Sequence, residues 1–131
     1  MPDAHDSNGS MAAEISRRGV QLLRDFTGRG PTKARTVIAS DTVAIVLADT
    51  LTRGERSLVE MGEEAHVLHT RRNYQRLMRD DLVGLVEDVS GRSVEAFFSD
   101  NHIDPDYAVE LFLLKPVSGS TPAVDEPEPV A

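Results

Sequence analysis

The 131-residue chain contains no cysteine and no tryptophan, and only two tyrosines and four phenylalanines. Without thiols there are no disulfides, no thiolate metal sites and no sulfur redox chemistry. Few aromatics and a net charge of -8 remove the stacking platforms and basic tracks that follow a phosphate backbone, so no nucleic acid partner is expected. No stretch reaches the roughly 18 consecutive apolar residues that a membrane span needs. The leading "MPDAHDSNGS" has neither the positive segment nor the apolar run of a secretion signal. These absences lead us to expect a cytoplasmic protein with no direct membrane insertion.

The acidity is unevenly spread. Asp3 and Asp6 lie in the leading segment, and Asp125, Glu126 and Glu128 lie in the trailing "STPAVDEPEPVA". Removing these five from the 22 acids leaves 17 against 14 bases, all between Met11 and Pro116, so the middle of the chain is close to neutral. Both ends have the Pro, Ser, Gly and acid content of solvated segments. The organisation expected is a disordered N-terminal tail over 1–10, a single α+β domain over 11–116, and a disordered acidic, proline-rich tail over 117–131.

Within the domain, Ile15, Leu22, Leu23 and Phe26 fall near helical spacing, with Gly19 on the same stripe. Gly28 stands where a left-handed cap belongs, and Pro31 follows where a helix cannot continue. "KARTVIAS" and "TVAIVLAD", rich in Val, Ile and Thr, meet at Ser40 and Asp41 and predict a tight hairpin. In "LTRGERSLVEMG", Thr52 and Glu55 have the spacing of a capping box that starts a short helix. Tyr74, Leu77, Met78, Leu82, Leu85, Val86 and Val89 then recur every three or four residues in a long helix that ends at Gly91. "SVEAFFSD" and "YAVELFLLK", joined by the turn-rich "NHIDPD", predict a second hairpin. The order helix, hairpin, helix, hairpin builds a four-stranded, mostly antiparallel sheet with both long helices on one face, an α+β two-layer sandwich.

Straight alternation puts Val94, Ala96 and Phe98, and likewise Val109, Leu111 and Leu113, on the helix-covered face. It leaves Phe97, Phe112 and Leu114 on the other. Two helices cover only one face of such a sheet, so those three side chains would form a bare apolar patch. A homodimer through that patch, or a different protein on the same face, is the expected way to cover it.

Taken together, "GRGP" after an amphipathic helix, a hairpin, "LTRGERSL", the long helix "RRNYQRLMRDDLVGLVEDVSGRSV" and a final "VELFLL" resemble the MpsC-like family, long catalogued as a domain of unknown function. The resemblance covers roughly Ala13 to Lys115. The family takes its name from a bacterial, cation-translocating, membrane-potential-generating system. Other components of that system resemble a proton-channel subunit and a soluble partner of inorganic carbon uptake. The resemblance implies an accessory role and assigns no chemistry to any residue; a non-enzymatic accessory or interaction protein, with a protein at the membrane as a candidate partner, is the expectation.

The chemical candidates are few. Arg24, Arg29, Lys33 and Arg35 surround the loop made by Gly28, Gly30 and Pro31, and they are candidates for contact with a small anion or a partner. The loop is not a phosphate-binding P-loop, because the Lys-Ser/Thr pair is absent and a helix ends here rather than begins. A small-anion or small-ligand sensor built on this loop is the alternative to the accessory role. Glu63, His66 and His69 have the Glu-x-x-His spacing of metal bundles but no second copy. Asp100, Asn101, His102, Asp104 and Asp106 crowd one loop with oxygens but lack the EF-hand glycine and closing glutamate. No metal and no cofactor are expected. Arg72, Arg76 and Arg79 line one helix face, which reads as solvated or as a dock for an acidic surface. No nucleophile stands beside a base, so no catalytic residue is named.

Overall fold

The computed structural model describes residues 4–117. Helix α1 spans Ala4–Thr27, and it begins upstream of the Met11 start that the apolar spacing predicts. An apolar stripe marks only the part of a helix that packs, and Ser7, Gly9 and Ser10 are exposed. Residues 4–10 belong to the same helix. The tail expected over 117–131 lies, beyond Val117, outside the described residues.

Helix α1 stops because Gly28 takes φ 82°, a left-handed conformation that a side chain disfavours. Its N–H donates to the Arg24 carbonyl at 2.8 Å. Strands β1 (Lys33–Ala39) and β2 (Thr42–Ala48) form a hairpin turned by Ser40 and Asp41. A short helix α2 (Arg53–Glu60) and the long helix α3 (Glu64–Ser90) follow, and Gly91 ends α3 in a left-handed cap. Strands β3 (Val94–His102) and β4 (Tyr107–Leu114) complete the sheet. The sheet order is β1-β2-β4-β3 with every pair antiparallel, so β1 and β3 are the edges. The architecture is α+β.

One hydrophobic cluster joins Ile15 and Leu23 of α1, Met78, Leu82 and Val86 of α3, Val43, Ile45 and Leu47 of β2, and Phe112 and Leu114 of β4. Both long helices therefore share one face of the sheet. Leu77, on the apolar stripe of α3 as read from sequence, is exposed. A smaller cluster of Leu51, Val67 and Ile103 sits beneath α2.

The two faces of the sheet are the reverse of those expected. Phe112 is 0% exposed, Leu114 is buried, and Phe97 packs against Phe112 with ring centroids 5.0 Å apart. Phe98 instead is 55% exposed. In β3 the cause is a β-bulge between Val94 and Ala96. Val94 faces the core as alternation predicts, but the extra residue, Glu95, reverses the parity beyond it and turns Phe97 inward. In β4 the inward row is Ala108, Glu110, Phe112 and Leu114. A charged residue in that row made the opposite face look like the core. Phe97, Phe112 and Leu114 are therefore core residues and cannot form a dimer face.

Candidate functional site

The polar groups of this fold converge on the connector Asp49–Thr52 between β2 and α2. Asp49 has a positive φ of 58° and turns the chain off the sheet. Arg29, carried out of α1 by the Gly28 cap, sends one nitrogen (Nη1) to the carbonyls of Asp49 at 2.7 Å and Leu51 at 2.8 Å. Its second nitrogen pairs with Asp49 Oδ2 at 2.8 Å. Arg56 of α2 also pairs with Asp49 and stands 3.9 Å from Asp106. Asp106, in the turn before β4, closes the other side. Its Oδ1 accepts from the Thr50 amide (3.0 Å) and hydroxyl (2.9 Å), and its Oδ2 accepts from the Leu51 amide (2.9 Å).

From α3, the buried Arg71 donates to the Thr50 carbonyl at 2.5 Å and binds Glu55 with two nitrogens at 2.6 and 2.7 Å. Glu55 Oε1 also accepts from the Thr52 amide at 2.8 Å, while Thr52 Oγ1 accepts from the Glu55 amide at 3.2 Å, which closes a capping box. Burial alone would raise the Glu55 carboxyl. The Arg71 hydrogen bonds, the Thr52 amide and the Arg71 charge outweigh it and hold this carboxyl below the usual range. A two-pronged Arg–carboxylate pair of this kind fixes α2 against α3 in one orientation.

Beside this network lies a carboxyl with no such support. Glu110 points into the core from β4 and is 2% exposed. Its Oε2 has no hydrogen-bond partner among the described residues. Ser99 is its cross-strand neighbour on β3, and that hydroxyl is also without a partner of acceptable geometry. Burial pushes the Glu110 carboxyl up to about 7, opposed by the nearby Ser99 hydroxyl and the Arg71 charge. Arg29, Thr50, Arg71, Gln75, Asn101 and Glu110 line a cavity of about 20 Å³. On that measure one water needs roughly 10–15 Å³, so there is room for about one water and for no larger ligand.

The four basic residues named from the sequence are not brought together. Arg29 is committed to Asp49 and Leu51, and Arg24 lies over Gly30, where an added Cβ would stand 3.1 Å from Arg24 Nε. Lys33 and Arg35 project from the uncovered face of β1. Pro31 is buried at the cavity rim. Arg72, Arg76 and Arg79 are exposed along a groove that also takes in His69, Gln75 and Phe97. Among the described residues, no group of three or more His, Cys, Asp or Glu is placed to hold a metal ion.

Several residues in and beside the network, Thr50, Arg71, Asp49, Arg56 and Glu110, were not singled out by sequence reasoning. Arg71 is masked by its neighbour Arg72, which belongs to the solvent-facing stripe. Asp49 and Arg56 meet partners that no short spacing announces. Glu110 carried a usable signal, as the single charge inside the apolar strand "YAVELFLL".

The fold and site define a small α+β domain whose buried charges bind its own connector. The chain belongs to the MpsC family, described as the Na+-translocating membrane potential-generating system (MpsC), which matches residues 7–116. It is 29% identical over 97 residues to "Uncharacterized protein YbcI" of Bacillus subtilis (strain 168), across 72% of this chain and 77% of that protein. No solved structure matches it. Among the described residues, no helix is long and apolar enough to cross a membrane.

Proposed function

We propose that the chain is a non-enzymatic cytoplasmic accessory protein that acts by protein contact within a cation-translocating, membrane-potential-generating system. The family description supplies the system. The observation that carries the non-enzymatic reading is the commitment of Arg29. The central cation of the glycine loop gives three of its five N–H donors to Asp49 and Leu51, groups of the protein itself. Among the described residues no helix is long and apolar enough to cross a membrane, and the reading places the contact on a protein that is already there. The small-anion sensor is the second reading. Its support is that Arg29 and Arg71 line the Glu110 cavity together, and its weakness is a volume that suits one water and no oxyanion.

The test is affinity capture with the tagged full chain from detergent-solubilised membranes of its native host. Enrichment of subunits of a cation-translocating membrane complex over a tagged control is expected. If capture yields no membrane subunit, and calorimetry with inorganic phosphate or bicarbonate gives saturable heat, the sensor reading replaces the accessory one.

A further inference from the structure

The face of the sheet turned away from the helices is apolar at its centre and oppositely charged at its two edges. The strand registers give its rows directly. One row runs Val37, Ala44, Leu111, Phe98 from β1 to β3, and the next runs Arg35, Val46, Val109, Asp100. Val37 and Phe98 are 44% and 55% exposed. Arg35 and Asp100 are both exposed and stand in the same row on opposite edge strands. Arg35 has no ion-pair partner among the described residues, and Asp100 accepts only from the amide of Asn101. No residue that β2 or β4 presents on this face is charged.

A twofold axis that brings two such faces together, running along the strands, lays β1 of each copy over β3 of the other and keeps each row in register. Every row then meets itself reversed. We propose that this face pairs with the same face of a second copy of this chain, so that Arg35 of each copy meets Asp100 of the other around a centre formed by Phe98, Leu111 and Val37. The arrangement is self-complementary, as a twofold interface requires. An anionic lipid surface would call for cations around the whole patch, whereas here the two edges carry opposite signs. Four strands of about seven residues span roughly 19 by 23 Å, about 440 Å² per copy, which is below the range of stable interfaces, so weak pairing at micromolar or higher concentration is expected. This goes beyond the accessory role, and it is read on the purified chain with no membrane component present.

The experiment is sedimentation velocity of the full chain from about 1 to 200 μM at low and at raised salt, with circular dichroism to verify folding. The wild type is expected to self-associate, and more weakly at raised salt. Arg35→Glu alone, or Asp100→Arg alone, sets like charges against each other twice per dimer and raises the dissociation constant at least about tenfold. An equimolar mixture of the two variants pairs opposite charges at both contacts and recovers wild-type association. Phe98→Arg, which leaves the charge pair untouched, is expected to give a folded monomer. A wild type that is monomeric at the highest concentration overturns the proposal. So does a mixture that fails to recover pairing, or a Phe98→Arg chain that associates like the wild type.

Discussion

Glu110→Gln is expected to stabilise the protein at pH 8 and to change little at pH 5. A glutamate carboxyl that ionises near 4.5 in the unfolded chain is pushed up to about 7 by burial in the native core. Between those values the native state holds a proton that the unfolded state has released, so stability falls as pH rises through this window. The favourable contribution of the neutral carboxyl is fully present below 4.5 and is lost once pH passes about 7. At 1.36 kcal/mol per pH unit the loss is about 3 kcal/mol, as an upper value. Glutamine keeps the shape and cannot ionise. The assay is urea denaturation of both chains at pH 5 and pH 8. Every other titrating group is common to the two, so the difference of the two stability differences isolates position 110. An expected difference of about 2–3 kcal/mol in favour of glutamine at the higher pH checks the reasoning. A substitution effect that is equal at the two pH values would refute it, since the carboxyl would then be no more costly to ionise in the core than in water.

The remaining predictions concern the connector and the sheet faces. Arg29→Ala leaves the Asp49 and Leu51 carbonyls without their donor and is expected to cost about 2–4 kcal/mol in urea denaturation, with Arg29→Lys recovering only part because it lacks the fork. A cost below about 0.5 kcal/mol would mean that the loop does not depend on this arginine. Thr52→Ala removes the cap that Glu55 reciprocates and is expected to cost about 1 kcal/mol, seen as a lower urea midpoint at unchanged slope. Phe112→Ala is expected to cost about 3–5 kcal/mol and Phe98→Ala less than about 1, and the reverse order would restore the face assignment that simple alternation suggests.

What was legible in the sequence was local. Gly28, Gly91 and the Thr52–Glu55 pair act on backbone atoms within four residues of themselves, so their spacing carries their role. The hairpin at Ser40 and Asp41 is readable for the same reason. The face that each strand presents is different, because one inserted residue reverses it. The bulge at Glu95 shows only once β3 is registered against β4. In β4, Glu110 looks like a solvent-facing residue and moved Phe112 with it to the wrong side. The role of Arg29 was hidden because its acceptors are carbonyls and a carboxylate about twenty residues away. A sequence presents arginine as a cation seeking an anion, and the fold uses this one mainly as a set of donors for its own backbone.

The central claim is that the chain serves a membrane-potential-generating system by contact and not by chemistry. Its most direct test is the membrane potential of native-host cells lacking the chain, read with a potentiometric dye across external sodium concentrations. The cells are complemented with the wild type, with Glu110→Gln, or with Phe98→Arg. The account predicts a lowered potential on deletion, and full restoration by the wild type and by Glu110→Gln, whose titratable core group is gone but whose surface is intact. It predicts no restoration by a folded Phe98→Arg chain. A deletion that leaves the potential unchanged at every sodium concentration would contradict it.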